Sequence, residues 1–474
     1  MLDTVAVSQG RTALQELLDG FLADAAVPGA ALGIARAGQP VEVVCAGNAR
    51  FGPRQSVTPE TRFRLASLTK QVVAVAVLRM IERGELALDT PVASRVRSVR
   101  LRQSRGAQPI TVAHLLLHVS GLGDLATWRQ LLDDDVQLPL DIPPRLRARR
   151  APGLRWDYCN LGYALLARLV EEHTERSFDE YVADTILDSL GLTGMSFASA
   201  APLPAELANA YEPHDEGWRC FPSPAPELPA AAGLLATPSE AVRLGAAMLE
   251  PGRLLERPLG EHLGSATFTV DDRLPRQCPF LIRVELDGHE VFWHDGFDGG
   301  FSSALYLVPE AGLALAVLTN GPTCKIEEEF GPRVLRALLG SDGPHAAPAM
   351  RRAPQRCLCG RYRYPAVSPL EPRPPDVVVI AAGDDLWLSS EFDDRRIRLV
   401  PEGEDPLLFR MPEGACARRV LFVTDRPGVV SGLCMDGFVV LARRRFSTAV
   451  PWRVQQALRD AAARTVGLVR KGRG

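Results

Sequence analysis

Only three lysines, Lys70, Lys325 and Lys471, stand among 54 basic residues, and one of them closes the tetrad Ser67-Leu68-Thr69-Lys70. On a helix, a spacing of three puts both side chains on one face and within reach of each other. Arginine cannot release its proton, whereas a desolvated lysine can act as a base. A chain that uses arginine almost everywhere, yet has lysine here, offers a serine nucleophile with a base beside it. Ser67 would sit in the first helical turn, where unpaired amide N–H groups help to hold an oxyanion. The alternative is an incidental exposed lysine on a helix.

Two further groups fit the same chemistry. Tyr158-Cys159-Asn160 follows Pro152-Gly153 and precedes a helical run from Leu161. Beside Lys70, Tyr158 would take the proton of Ser67 and later protonate the leaving group, and Asn160 would orient Lys70 through its amide. His294-Asp295-Gly296 ends the strand-like run HEVFWH and leads into Phe297-Asp298-Gly299-Gly300. Glycines there let a substrate lie against the strand, and the Phe297 N–H would join that of Ser67 as the second oxyanion donor. Taken alone, Tyr158 reads as a loop tyrosine and His294 as a structural histidine. The chemistry rests on the three groups occurring together.

The elements that must position them follow from periodicity. Helical spacing over 11–25, apolar runs at 30–34 and 41–45 around a Gly-Gln-Pro turn, and a helix from about 67 to 82 open the chain. Helical patterns follow at 111–122, 161–173 and 178–190, and the stretch 230–252 is punctuated by Gly and Pro and then helical. Strands return at 280–286, 289–294, 302–308 and 312–319, before a helix at 325–339. This is an α+β plan in which N- and C-terminal strands share one antiparallel sheet. Residues 341–356 read as a linker, and seven short β-type runs between 376 and 442 predict a small up-and-down barrel of seven or eight strands over 357–450. A helix or tail at 451–474 completes the division, with 1–340 as the catalytic domain.

The 474 residues, 46% of them hydrophobic and 23% charged, carry a net charge of −3. That balance is globular and gives no basic footprint for nucleic acid. No window is apolar enough for a membrane span, and the start of the chain does not read as a secretory signal, so a cytoplasmic location is expected. The nine cysteines are scattered, and the lone Cys357-x-Cys359 is a poor metal site. Neither metal nor cofactor is expected.

The three groups, in this order, resemble the serine β-lactamase-like, penicillin-recognising hydrolases: class C β-lactamases, D-alanyl-D-alanine carboxypeptidases, D-stereospecific aminopeptidases and related esterases. Leu115 to Leu122, Pro152 to Tyr163 and Ala232-Gly233-Leu234 resemble further segments of that family, over most of residues 10–340. The resemblance implies a β-lactamase/transpeptidase-like fold, Ser67, Lys70, Tyr158, Asn160 and His294 as catalytic residues, and Gly233 and Gly296 along the substrate. His118, a rival catalytic residue, falls in a segment that is structural in the family.

Substrate class is where this chain departs. Class C β-lactamases have Lys-Thr-Gly in place of His294-Asp295-Gly296, and that lysine and threonine bind the β-lactam carboxylate. Asp295, turned into the cleft, would repel a carboxylate and attract an ammonium. This favours D-amino-acid amides, short peptides or esters, as for D-aminopeptidases. Those carry barrels after the catalytic domain, but this chain has room for one. A single lipocalin-like barrel resembles instead the penicillin-binding-protein-type thioesterases that cyclise nonribosomal peptides, with carrier-bound or thioester substrates. Arg443, Arg444 and Arg445, at the end of the last predicted strand, would then bind a carboxylate or phosphopantetheine, unless they simply face solvent. A non-catalytic binding protein on the same fold is the third reading.

Overall fold

The computed structural model describes residues 2–103, 107–123, 142–198, 203–214, 217–220, 226, 228–269, 274–323, 325–341, 358, 360–363, 377–382, 385–390, 393–401, 407–411, 418–426, 429–435 and 439–443. The proposed linker, apart from Ser341, the proposed tail, the Cys357/Cys359 pair, Arg444, Arg445 and the side chain of Arg443 lie outside them.

Helix α1 (Leu2–Ala25) leads into β1 (Gly29–Arg36), β2 (Glu42–Phe51) and β3 (Arg54–Ser56). A short strand, β4 (Phe63–Arg64), precedes the turn that carries Ser67 and helix α2 (Lys70–Glu82). Helix α3 (Asn160–Thr174), β5 (Leu234–Ala236) and α4 (Pro238–Leu249) follow. Then come β6 (Arg276–Gln277), β7 (Ile282–Leu286), β8 (His289–Asp298), β9 (Phe301–Val308), β10 (Leu313–Thr319) and α5 (Gly331–Leu339). The main sheet is antiparallel with order β6-β7-β8-β9-β10-β1-β2-β3, so β1 does lie beside the last strand, Ala30 opposite Thr319.

Burial on both faces explains why β10 reads as an unbroken apolar run. Leu313, Leu315 and Val317 pack with Leu14, Leu18 and Phe21 of α1 and Val334 and Leu335 of α5. Ala314, Ala316 and Leu318 join the larger core formed with α2, α3 and α4. Small residues on that second face let α4 approach closely: a Cβ on Gly33 would stand 2.3 Å from the Pro238 carbonyl oxygen. Helix α2 is buried all round from Lys70 to Leu78, as an apolar helix inside a core must be.

The expected helix over 67–82 begins later. Ala66 has φ +48°, and residues Ala66–Thr69 form a 3₁₀ turn before α2 starts at Lys70. The expected helix at 111–122 is confined to Val112–Leu116, because His118 (φ +59°) and Gly121 (φ +72°) take left-handed conformations that end it. Strand β8 runs on to Asp298, so the His294 group lies inside a strand rather than at its end. Gly296 within it serves close packing, while Gly299 (φ +55°) and Gly300 (φ +81°) make the turn into β9.

The C-terminal strands form a closed barrel: β11 (Gly360–Arg363), β12 (Val377–Ala382), β13 (Asp385–Ser390), β14 (Asp393–Pro401), β15 (Leu408–Met411), β16 (Arg418–Arg426), β17 (Val429–Met435) and β18 (Val439–Arg443). Strand β11, absent from the seven runs, closes the ring by pairing with β18, Tyr362 opposite Arg443. Tyr362, Val379, Leu388, Phe409, Val420 and Phe422 fill the interior.

One staple holds the far end of α2. Glu82 accepts from the Glu256 and Arg257 N–H groups (3.1 and 3.0 Å) and from His262 Nε2 (2.7 Å). Burial alone would raise its pKa, but those hydrogen bonds outweigh it and hold the carboxyl below its ordinary 4.5. A depressed carboxylate stabilises above its unfolded pKa and loses that contribution as pH falls through the folded one. Glu82→Gln should therefore lower stability by about 1–3 kcal/mol at pH 7 in denaturant titrations, with the deficit shrinking below pH 4.

Candidate active site

Ser67 is presented by strain and hydrogen bonding together. The Ala66 conformation is one that a residue with a Cβ rarely adopts. The Thr69 hydroxyl holds it, donating to the Ala66 carbonyl (2.6 Å) while accepting the Leu234 N–H (3.0 Å). Leu65 is fixed on both sides, its N–H donating to the Leu234 carbonyl (2.8 Å) and its carbonyl accepting from the Ser303 hydroxyl (2.8 Å). The turn is thereby tied to β5 and β9 at once.

Lys70 is completely buried, and its Nζ donates to three oxygens: Ser67 Oγ at 3.1 Å, Asn160 Oδ1 at 2.7 Å and the Ala231 carbonyl at 3.0 Å. Each ammonium N–H therefore has an acceptor. Nζ also lies 4.9 Å from the Tyr158 ring centre and 5.7 Å from that of Tyr163. Asn160 is delivered by the start of α3, which Cys159 caps: its Sγ accepts the Gly162 N–H and donates to the Gly123 carbonyl.

His118 clamps the Tyr158 segment at three points. Its carbonyl accepts the Asp157 N–H (2.7 Å), its Nδ1 accepts the Cys159 N–H (3.1 Å), and its ring stacks on that of Tyr158 at 4.4 Å. Burial, with Lys70 and His294 adding to it, pushes the His118 imidazole well below its ordinary pKa, so it is neutral. These contacts give His118 a packing role, in keeping with the structural segment in which it falls.

His294 is 4% exposed, with its ring 6.2 Å from that of Tyr158. Its Nδ1 is bonded to the Asp295 carbonyl oxygen, which makes Nδ1 the protonated nitrogen and leaves Nε2 as an acceptor. Burial lowers its pKa; Asp295 opposes and Lys70 reinforces that shift. Gly296 is where β8 crosses the Ser67 turn: a Cβ there would stand 2.4 Å from the Leu65 carbonyl oxygen and 3.0 Å from the Ser67 nitrogen. Alternation along β8 then turns Asp295 and Phe297 to the opposite face. Asp295 is half-exposed and Phe297 exposed, at 63%. Among the described residues no arginine lies within ion-pair distance of Asp295, whose nearest basic atom is His294 Nδ1 at 3.9 Å. Gly233 caps the Pro229–Ala232 turn, where a Cβ would meet Pro229 backbone at 2.7 Å. Arg443 ends β18.

Several parts of the site carried no signal in the sequence. The Ala231 carbonyl is backbone. The buried Arg64, 3.7 Å from Asp298, is an ion pair spanning 234 positions that links β4 to β8. Gln277, which accepts from Trp156 Nε1 at 3.1 Å, is 121 positions away from it.

Comparisons with known proteins place the chain in a family. A β-lactamase family model matches residues 14–335. The chain belongs to the β-lactamase family. It is 30% identical over 393 residues to penicillin-binding protein 4 of Amycolatopsis lactamdurans, covering 77% of this chain and 95% of that one. It is 34% identical over 223 residues to esterase EstB of Burkholderia gladioli, covering 42% of this chain and 56% of that one. Among solved structures, a D-amino acid amidase from Ochrobactrum anthropi superposes with a TM-score of 0.57 at 22% identity, covering 70% of this chain and 99% of that one. The family is one of serine hydrolases acting on small molecules, and among the described residues no helix is long and apolar enough to cross a membrane.

Gly296→Ala should lower stability by about 1–3 kcal/mol through forced displacement of the Ser67 turn. Thermal or chemical denaturation checks this, with Gly52→Ala, which has open space around it and no left-handed backbone, as the comparison.

Proposed function

We propose that the protein is a serine hydrolase that passes through a Ser67 acyl-enzyme and acts on amides or esters of amino acids with a free amine, of the D series. The observation that carries the first half is the Lys70 ammonium in hydrogen-bond contact with Ser67 Oγ, Asn160 and the Ala231 carbonyl. Ser67 Oγ attacks the carbonyl carbon, and its proton passes to the Tyr158 oxygen, which acts as a phenolate held beside the Lys70 ammonium. The Ser67 and Phe297 N–H groups hold the oxyanion, and the leaving amine or alcohol departs with the proton returned by Tyr158. Water, activated by the same pair, then releases the acid and regenerates Ser67.

The second half rests on charge. Where class C β-lactamases place lysine and threonine for a carboxylate, this chain has a neutral His294, with Asp295 on the other face of β8 and, among the described residues, no arginine within ion-pair distance of it. Loss of that lysine together with the gain of a carboxylate one residue away disfavours an anionic substrate and favours an ammonium. The likeness to the esterase and the amidase supports the leaving groups named here. The single barrel favours one second reading, transfer of the acyl group from a thioester to an amine within the same peptide; a cyclic product would distinguish it from hydrolysis.

Release of p-nitroaniline from D- and L-phenylalanine p-nitroanilide tests the proposal. Release from the D isomer is expected, falling on the order of 10⁴-fold in Ser67→Ala and about 10³-fold or more in Lys70→Arg. Activity retained in either variant contradicts the mechanism, and turnover of N-acylated substrates alone contradicts the free-amine half. His294 stays neutral until pH drops below its ordinary 6.5, so the acid limb of kcat/KM is expected below that value, and His294→Asn should displace it.

A further inference from the structure

Leu408, Leu421 and Cys434 face one another across β15, β16 and β17. Their neighbours Phe409, Val420, Phe422 and Leu433 fill the barrel interior, so this row points outward. It is nevertheless buried, in one apolar cluster with Leu274 of the N-terminal body, itself 5% exposed. Leu274 lies two residues before β6, a two-residue strand at the edge of the main sheet. Such an edge holds itself weakly.

From β6 the path leads to the active site. Gln277 is 1% exposed, and its Nε2 donates to the Cys278 and Leu281 carbonyls (2.7 and 3.1 Å). Rotating the amide would set its oxygen against both carbonyls, so Oε1 is committed to Trp156 Nε1–H. The Trp156 ring lies 6.1 Å from both Tyr158 and His118. Tyr158 itself stands before α3 in a segment without regular secondary structure, so its placement depends on such neighbours.

We infer that the outer wall of the barrel, by gripping Leu274, sets the position of Tyr158 through Gln277 and Trp156. Gln277 and Trp156 are thus positioning residues, and the barrel is a working part of the acyl-transfer site. This rests on the assignment of Tyr158 to proton transfer in the preceding section.

The test uses the full-length protein and the rate at which a fluorophosphonate probe labels Ser67, followed across pH. Leu274→Asp and Leu421→Asp should each slow labelling about 10- to 100-fold, with unchanged far-ultraviolet circular dichroism. Leu274 lies outside the barrel, so its variant carries the test if Leu421→Asp misfolds. Leu274→Asp should move the pH profile in the same direction as Trp156→Phe, and the double variant should be no slower than the slower single one. Wild-type rates in Leu274→Asp, full additivity with Trp156→Phe, or a slower rate with an unmoved pH profile would overturn the inference. Failure of the unsubstituted protein to label at Ser67 would instead overturn the hydrolase assignment beneath it.

Discussion

A buried ammonium group must find an acceptor for each of its N–H bonds, and in this protein that requirement organises the site. The three acceptors of Lys70 come from the Ser67 turn, the start of α3 and the turn before β5. No one of these elements is a sequence neighbour of the others. Folding the helical half therefore fixes the nucleophile, the asparagine and the backbone carbonyl in one arrangement, and an error in any of them leaves a charge unsatisfied. The surroundings are equally constrained: Tyr158 and Tyr163 flank the ammonium, and His118 lies against both rings.

The sheet contributes the opposite wall by close approach rather than by charge. Gly296 lets β8 pass against the Ser67 backbone, and the Arg64–Asp298 pair ties β8 to β4, just ahead of that turn. Burial raises the Asp298 pKa, with Arg64 opposing it. Such a pair contributes to register more than to stability, since both groups lose hydration. The wall that remains for substrate carries a neutral imidazole.

What was legible in the sequence was chemistry borne by side chains at short spacing. Ser67 and Lys70 are three positions apart, and Tyr158 and Asn160 two, and the structure brings them together with His294. That N- and C-terminal strands share the main sheet was legible too, because strands buried on both faces leave unbroken apolar runs such as 313–318. What depended on backbone conformation was hidden. Nothing in Ala66 announces a left-handed residue, nor in Ala231 a carbonyl that receives Lys70. Contacts across long separations, Trp156 to Gln277 and Leu274 to Leu421, were equally silent. Strand β11 escaped because four residues, Gly360–Arg363, show too little alternation to stand out.

The central claim is that Lys70 makes Ser67 a nucleophile that becomes covalently acylated. Intact-protein mass spectrometry during turnover of a slowly deacylated p-nitrophenyl ester, followed by peptide mapping, tests it most directly. The account predicts one acyl group per chain, on the peptide containing Ser67, with accumulation lost when Lys70 is replaced by arginine. Acylation at another residue, or an unchanged Ser67 adduct in the arginine variant, would contradict it.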